Sequence, residues 1–98
     1  MIASPPILCI DDFNLLFEPL RLSVSGADIL LKIKQTRAFP AHGLRTMQPF
    51  AVSFIGPLDH PLTQGTYSLL HPRQGVIELF LVPVARDANG FEYEAVFN

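Results

Sequence analysis

The side chains that could carry chemistry in this chain are three histidines, one cysteine, a scatter of serines and a pair of glutamates near the C-terminus. His42, His60 and His71 are widely spaced. Zinc sites built from near neighbours need short spacings, such as two His one helical turn apart or two Cys separated by two residues. None occurs here, so the spacing designates no metal ligand. His60-Pro61 and His71-Pro72 read as turn residues whose rings cap local backbone groups. Cys9, between Leu8 and Ile10, reads as an apolar plug; an activated thiolate needs an electropositive, accessible setting. Ser53 and Ser68 lack the Gly-x-Ser-x-Gly elbow that would expose a nucleophile. Glu92 and Glu94 share one face of a strand-like segment. They read as a solvated face pairing with Arg86 or Arg73 across a hairpin, with an acid pair as the alternative. The glycines are scattered at turns and form no phosphate loop. No catalytic residue and no cofactor-binding residue is designated, and no cofactor is expected.

The elements that would have to position any such group follow from periodicity. Pro5-Pro6 opens an irregular segment over residues 1–10. Asp11 and Asp12 offer N-cap oxygens to a short helix through Phe17, stopped by Pro19. From Leu20 the period becomes two. Leu20, Leu22 and Val24 alternate with Arg21 and Ser23, and after Ser25-Gly26 so do Ile29, Leu31 and Ile33 with Leu30, Lys32 and Lys34. Residues 37–48 carry no period and read as a long loop. Strands follow over 49–56, 65–71, 76–86 and 91–97, the last two joined by Asp87-Ala88-Asn89-Gly90, a hairpin turn rich in residues that tolerate positive φ. Six strands without intervening helices predict an all-β domain: a six-stranded antiparallel meander curled into a small barrel or sandwich, with a short N-terminal helix. The whole chain, 1–98, forms one domain.

Composition narrows the function classes. Apolar residues make up 49% of the chain and charged residues 16%, which is apolar for so small a domain, since small domains have proportionally more surface to cover. Some apolar surface is therefore expected to lie against something other than this chain. The net charge of −2 and the dispersed Lys and Arg residues argue against nucleic acid as a partner. A lone cysteine forms no intrachain disulfide and fits a reducing compartment. Neither a basic, apolar leader nor a membrane-length apolar run is present, so a cytoplasmic location and no membrane partner are expected.

Two segments attract attention as interfaces. Val76-Ile77-Glu78-Leu79-Phe80-Leu81-Val82-Pro83-Val84 is apolar on both faces apart from Glu78, where a strand with one wet face should alternate. Pro83 cannot donate to a ladder and belongs at an edge or a bulge, and an apolar edge needs cover. Either the N-terminal segment through Phe17 covers it or a partner does, which nominates Leu79, Leu81 and Pro83 as interface residues. The loop at 37–48 nominates Phe39, Arg45 and Met47, because aromatic, Met and Arg side chains are enriched in interface cores. The competing reading tucks Phe39 and Leu44 back as a lid over an open barrel end.

Phe54-Ile55-Gly56-Pro57, Leu62-Thr63-Gln64-Gly65-Thr66-Tyr67, His71-Pro72, Leu79-Phe80-Leu81-Val82-Pro83-Val84 and Tyr93-Glu94-Ala95-Val96-Phe97-Asn98 come in this order. In these strings the chain resembles a family of small bacterial all-β proteins catalogued only as a domain of unknown function, from about Asp12 to Asn98. Where relatives place a Gly-containing turn between helix and first strand, this chain has Phe17-Glu18-Pro19. The resemblance brings no activity and no catalytic residues; it implies occurrence beside phage-tail or tail-collar-like proteins.

Together these readings predict a non-enzymatic structural or protein-interaction module that self-associates or binds another protein. The alternative is a small-ligand-binding β-barrel with its pocket under the long loop, for which small barrels have little room.

Overall fold

Alternation of apolar and polar residues from Leu20 onward folds as the period-two pattern requires. The computed structural model describes residues 8–14, 16–40 and 49–97. Its elements are a single helical turn α1 (Asp11–Asn14) followed by β1 (Leu20–Val24), β2 (Ala27–Ala38), β3 (Phe50–Gly56), β4 (Gly65–His71), β5 (Gly75–Asp87) and β6 (Gly90–Phe97). All pairings are antiparallel, and the strands close into a barrel in the order β1-β2-β3-β6-β5-β4.

That order departs from a simple meander at one place. The chain leaves β3, crosses one end of the barrel and starts β4 on the far side, so that β3 pairs with β6 and β4 closes against β1. The crossing is anchored by Leu62, which is buried in the core, and whose N–H donates a 2.8 Å hydrogen bond to the Tyr93 hydroxyl. Desolvation raises the Tyr93 pKa above its ordinary value, against the lowering effect of the Leu62 N–H. The phenol therefore stays protonated at neutral pH.

β2 and β5 are the long strands, and each serves both halves of the barrel. Residues 27–31 of β2 pair with β1, and residues 32–38 pair with β3. Residues 75–81 of β5 pair with β4, and residues 82–87 pair with β6. Each strand carries a bulge after the changeover. Lys34 is unpaired between Ile33↔Phe54 and Gln35↔Ser53, and Val84 is unpaired between Pro83↔Tyr93 and Ala85↔Glu92. A bulge bends the strand and increases its twist, which allows six strands to close. Pro83 sits beside such a bulge, as a residue without an N–H should. β5 is not an edge strand, because a closed barrel has no edges.

The interior is filled by side chains. Leu20, Leu31, Val52, Phe54, Leu69, Leu81 and Tyr93 are all essentially inaccessible. α1 plugs the end opposite the Tyr93 crossing: Phe13 is buried, with its ring centroid 5.4 Å from Phe97, 6.1 Å from Phe50 and 6.2 Å from Phe54. The helix is shorter than the stretch to Phe17 expected from the sequence. Its cap also differs, since the Asp12 carboxylate reaches back to the Cys9 N–H at 2.8 Å, the reciprocal half of a capping box. So short a helix has little stability of its own and is held by what Phe13 buries. Phe17 lies beyond it, almost fully exposed, and covers no part of β5.

Two glycines let the crossing close. A methyl group on Gly56 would lie 2.8 Å from Leu31 Cδ2 and 3.0 Å from Tyr93 Cε2, and one on Gly90, at φ +148°, would run into the Gly56 carbonyl oxygen. Tyr93→Phe, which strands the buried Leu62 N–H, should cost about 1–2 kcal/mol in urea unfolding. Gly56→Ala should cost about 1–3 kcal/mol through overpacking. Equal stability of both variants and the parent would contradict this packing.

Candidate functional site

His71 ends β4 and is the buried titratable side chain nearest to α1. Its Nδ1 accepts from the N–H groups of Arg73 and Gln74, both at 3.1 Å, which leaves the proton on Nε2 to donate to the Asp12 carbonyl at 2.8 Å. Phe13 packs edge-on at 5.6 Å between centroids. Gln74 Nε2 also donates to Asp12 Oδ1 at 2.9 Å, and the Thr36 hydroxyl donates to Asn14 Oδ1. Every ring nitrogen of His71 is committed to backbone, so the cluster ties α1 to the β4–β5 turn and leaves no lone pair for a ligand or a substrate proton. This is the backbone-capping role expected for a His-Pro turn, extended to α1.

The other candidate groups are dispersed. Cys9 is free and exposed, so it does not plug the core. His60 Nε2 lies 3.8 Å from Asp59 Oδ2 on an exposed turn. Ser53 is buried on the outer side of β3 with Gln35 and Glu94 as cross-strand neighbours, and Ser68 is exposed. Among the described residues no three His, Cys, Asp or Glu side chains converge as a metal would require; His42 lies outside them. None of the described helices is long and apolar enough to cross a membrane.

Glu92 and Glu94 pair elsewhere than the sequence suggests. Lys34 Nζ meets Glu92 Oε1 at 2.7 Å, and Arg37 meets Glu94 at 3.7 Å. β2 and β6 are not neighbours; β3 lies between them. Both pairs therefore arch over β3, where Ala51 and Ser53 are small and buried at 3% and 5% exposure. The hydrogen bond and charge of Glu92 raise the Lys34 pKa. Arg86 stacks on Phe91, 5.4 Å from its ring centre. Four charges on the outer face of this half of the barrel are thus paired with one another, while Val84 and Val96 are half exposed on the same half.

The nominated interface residues separate. Leu79 and Leu81 are core residues, 3% and 0% exposed, which corrects their nomination. β5 alternates after all, with Ile77, Leu79 and Leu81 inward and Val76, Glu78 and Phe80 outward. Its outward residues are themselves apolar, which is why both faces read alike. Pro83 is exposed beside the bulge. β2 runs on to Ala38, so Arg37 and Ala38 belong to the ladder and not to a loop, and Phe39 N–H donates to the Pro49 carbonyl at 2.8 Å. Phe39 is half-buried with the Arg37 guanidinium 5.1 Å above its ring. Arg45 and Met47, like Leu44, lie outside the described residues.

What the structure brings together instead is the outer face of β1, β4 and the first halves of β2 and β5. Cross-strand register puts Leu30, Arg21, Leu70 and Val76 side by side in one row. Leu30, Leu70 and Val76 are 45%, 49% and 66% exposed, an unusual row for a solvated barrel wall. The next row reads Asp28, Ser23, Ser68 and Glu78, and Phe80 lies beyond it opposite Thr66, 51% exposed. Only Arg21↔Leu70 joins β1 to β4 in register, so this row crosses the barrel's narrowest seam. Beside it an open groove of about 790 Å³ runs under the 57–60 turn, bordered by Leu30, Lys32, Lys34, Ile55, His60 and Asn89. The sequence signal for this row was the apolar residue at outward positions 30, 70, 76 and 80, which the strand register alone aligns.

His71→Ala should loosen α1 and cost about 2–3 kcal/mol in chemical unfolding, since two backbone N–H groups and a carbonyl lose their partner. For Asp12, burial raises the pKa, but the hydrogen bonds from Cys9 and from the Gln74 amide outweigh it and hold the carboxyl below its ordinary 3.8. A depressed carboxyl stabilises the fold above that value and loses the contribution as pH falls through the lowered one. Asp12→Asn should therefore cost more at pH 6 than at pH 3, by less than about 1 kcal/mol because the half-buried carboxylate is still screened by solvent. A cost independent of pH would contradict it.

Among families of proteins, the model for the domain of unknown function DUF6916 matches residues 8–97. No curated protein and no solved structure matches the chain. With the match running through every strand of the barrel, the chain belongs to the DUF6916 family.

Proposed function

We propose that this domain is a non-enzymatic structural module that acts through protein–protein contact, including contact between its own copies. The observation that carries the reading is the apolar row Leu30, Leu70 and Val76, with Phe80 nearby, on the outside of an otherwise filled barrel. Polar groups that could do chemistry are spent elsewhere: His71 on backbone, Glu92 and Glu94 on Lys34 and Arg37. A finer form of the reading, a component of phage-tail-like assemblies, draws support from the family resemblance and suits a small rigid barrel with an adhesive wall.

Small-ligand binding is a second reading with one observation in its favour, the outer groove of about 790 Å³. Tyr93, Phe54, Leu31 and Leu81 occupy the barrel axis, and residues 41–48 of the loop under which its pocket is expected lie outside the described residues. The groove also mixes Lys32, Lys34 and His60 with Asp28 and Asp59, which favours no single ligand charge.

Light scattering behind a size-exclusion column tests the self-association. The expected result is a mass that rises above 10.9 kDa as the loaded concentration passes through the micromolar range. A mass fixed at the monomer value up to several hundred micromolar would remove the reading.

A further inference from the structure

The outer wall of β1, β4 and the first halves of β2 and β5 has a charge order that the opposite wall lacks. Above the row Leu30, Arg21, Leu70 and Val76 stand Lys32, two residues on from Leu30 along β2, and Arg73, in the turn that leads to Val76. Below it stand Asp28, on the β2 side, and Glu78, on the β5 side. All four of these charged side chains are exposed. Among the described residues none of them takes part in an ion pair, whereas Lys34, Arg37, Glu92 and Glu94 on the other wall are paired. Cations on one side of an apolar row and anions on the other form a self-complementary pattern.

We propose that two copies of this chain meet face to face on this wall, about a two-fold axis lying along the Leu30–Val76 row. The inference rests on the self-association reading above and adds its location and geometry. Rotation about that axis keeps each residue on its own side and exchanges top for bottom. Lys32 then faces Asp28 of the second copy, Arg73 faces Glu78 of the second copy, and Leu30, Leu70 and Val76 pack on their own copies, while Arg21, which lies on the axis, meets its own copy and must turn its guanidinium toward the Asp28 and Glu78 side. A two-fold interface is isologous, so each charge pair occurs twice. The perpendicular in-plane axis would set Lys32 on Arg73 and Asp28 on Glu78, four like-charge contacts against the single Arg21 pair of the first axis, and like charges in an interface are strongly disfavoured. Four strands about 4.8 Å apart, with outward rows about 6.8 Å apart, make a face of roughly 20 by 20 Å, or about 400 Å². That is about half of the ~800 Å² per partner of a standard interface, which predicts a weak, micromolar dimer sensitive to salt.

Charge exchange tests the geometry. At a concentration where the parent is mostly dimer, Glu78→Arg alone and Arg73→Glu alone should each be monomeric, with dissociation constants raised at least about tenfold. An equal mixture of the two variants should recover the dimer, because each charge then meets its opposite across the axis. Lys32→Glu and Asp28→Lys form an independent pair with the same expectation, in case one exposed substitution impairs folding as judged by circular dichroism. Parent dimers that survive all four single changes would overturn this wall as the interface while leaving self-association standing. Single variants that dissociate without recovery on mixing would overturn the two-fold pairing. A parent that is monomeric throughout would remove both this inference and the reading beneath it.

Discussion

Closing a sheet of only six strands demands strong coiling, and β2 and β5 supply it by each running through both halves of the barrel. Their bulges at Lys34 and Val84 turn the strand direction where the pairing partner has just changed. A barrel this narrow has room along its axis for side chains and nothing more, so the inward positions are committed to packing: Leu20, Leu31, Val52, Leu69, Leu81 and Tyr93 touch one another and not solvent. The ends are sealed by different devices, Phe13 on α1 at one and the Leu62–Tyr93 anchor at the other.

The outside is not uniform. Past its bulge, β2 presents Lys34 and Arg37 over the small residues of β3 to Glu92 and Glu94 on β6. Exposed pairs of this kind add little stability, but they leave these four charges partnered within one molecule. On the other wall the charges have no such intramolecular partners among the described residues, and they flank an apolar row that spans the thinly joined β1–β4 seam. Two walls of one barrel thus differ in whether their surface chemistry is complete.

Much of this was legible in the residues, and the exceptions have physical causes. Strand positions followed from the period-two pattern at Leu20–Val24, Phe50–Gly56 and Gly90–Phe97, where one face is core. The end of β2 was missed because the Lys34 bulge shifts the alternation by one residue; after it Thr36 is the half-buried position, and the pattern dissolves although the ladder continues to Ala38. Leu79 and Leu81 drew attention for the right strand and the wrong face, since inward Ile77, Leu79 and Leu81 and outward Val76 and Phe80 are equally apolar. The crossing from β3 to β4 left no local mark: an eight-residue connection reads the same whether the next strand is adjacent or across the barrel. The candidate row was invisible for the same reason, because Leu30, Leu70 and Val76 meet only through register.

The proposed dimer requires contact through the β1–β4 wall, and not through the charged wall or the barrel interior. Amide chemical shifts followed by NMR through dilution from millimolar to low micromolar concentration read that wall residue by residue. A dimer on this wall should give concentration-dependent shifts at Arg21, Ser23, Leu30, Leu70, Val76 and Glu78, with Ala51, Ser53 and Glu94 unmoved. Shifts centred on β3 and β6 instead, or a spectrum that does not change with dilution, would contradict it.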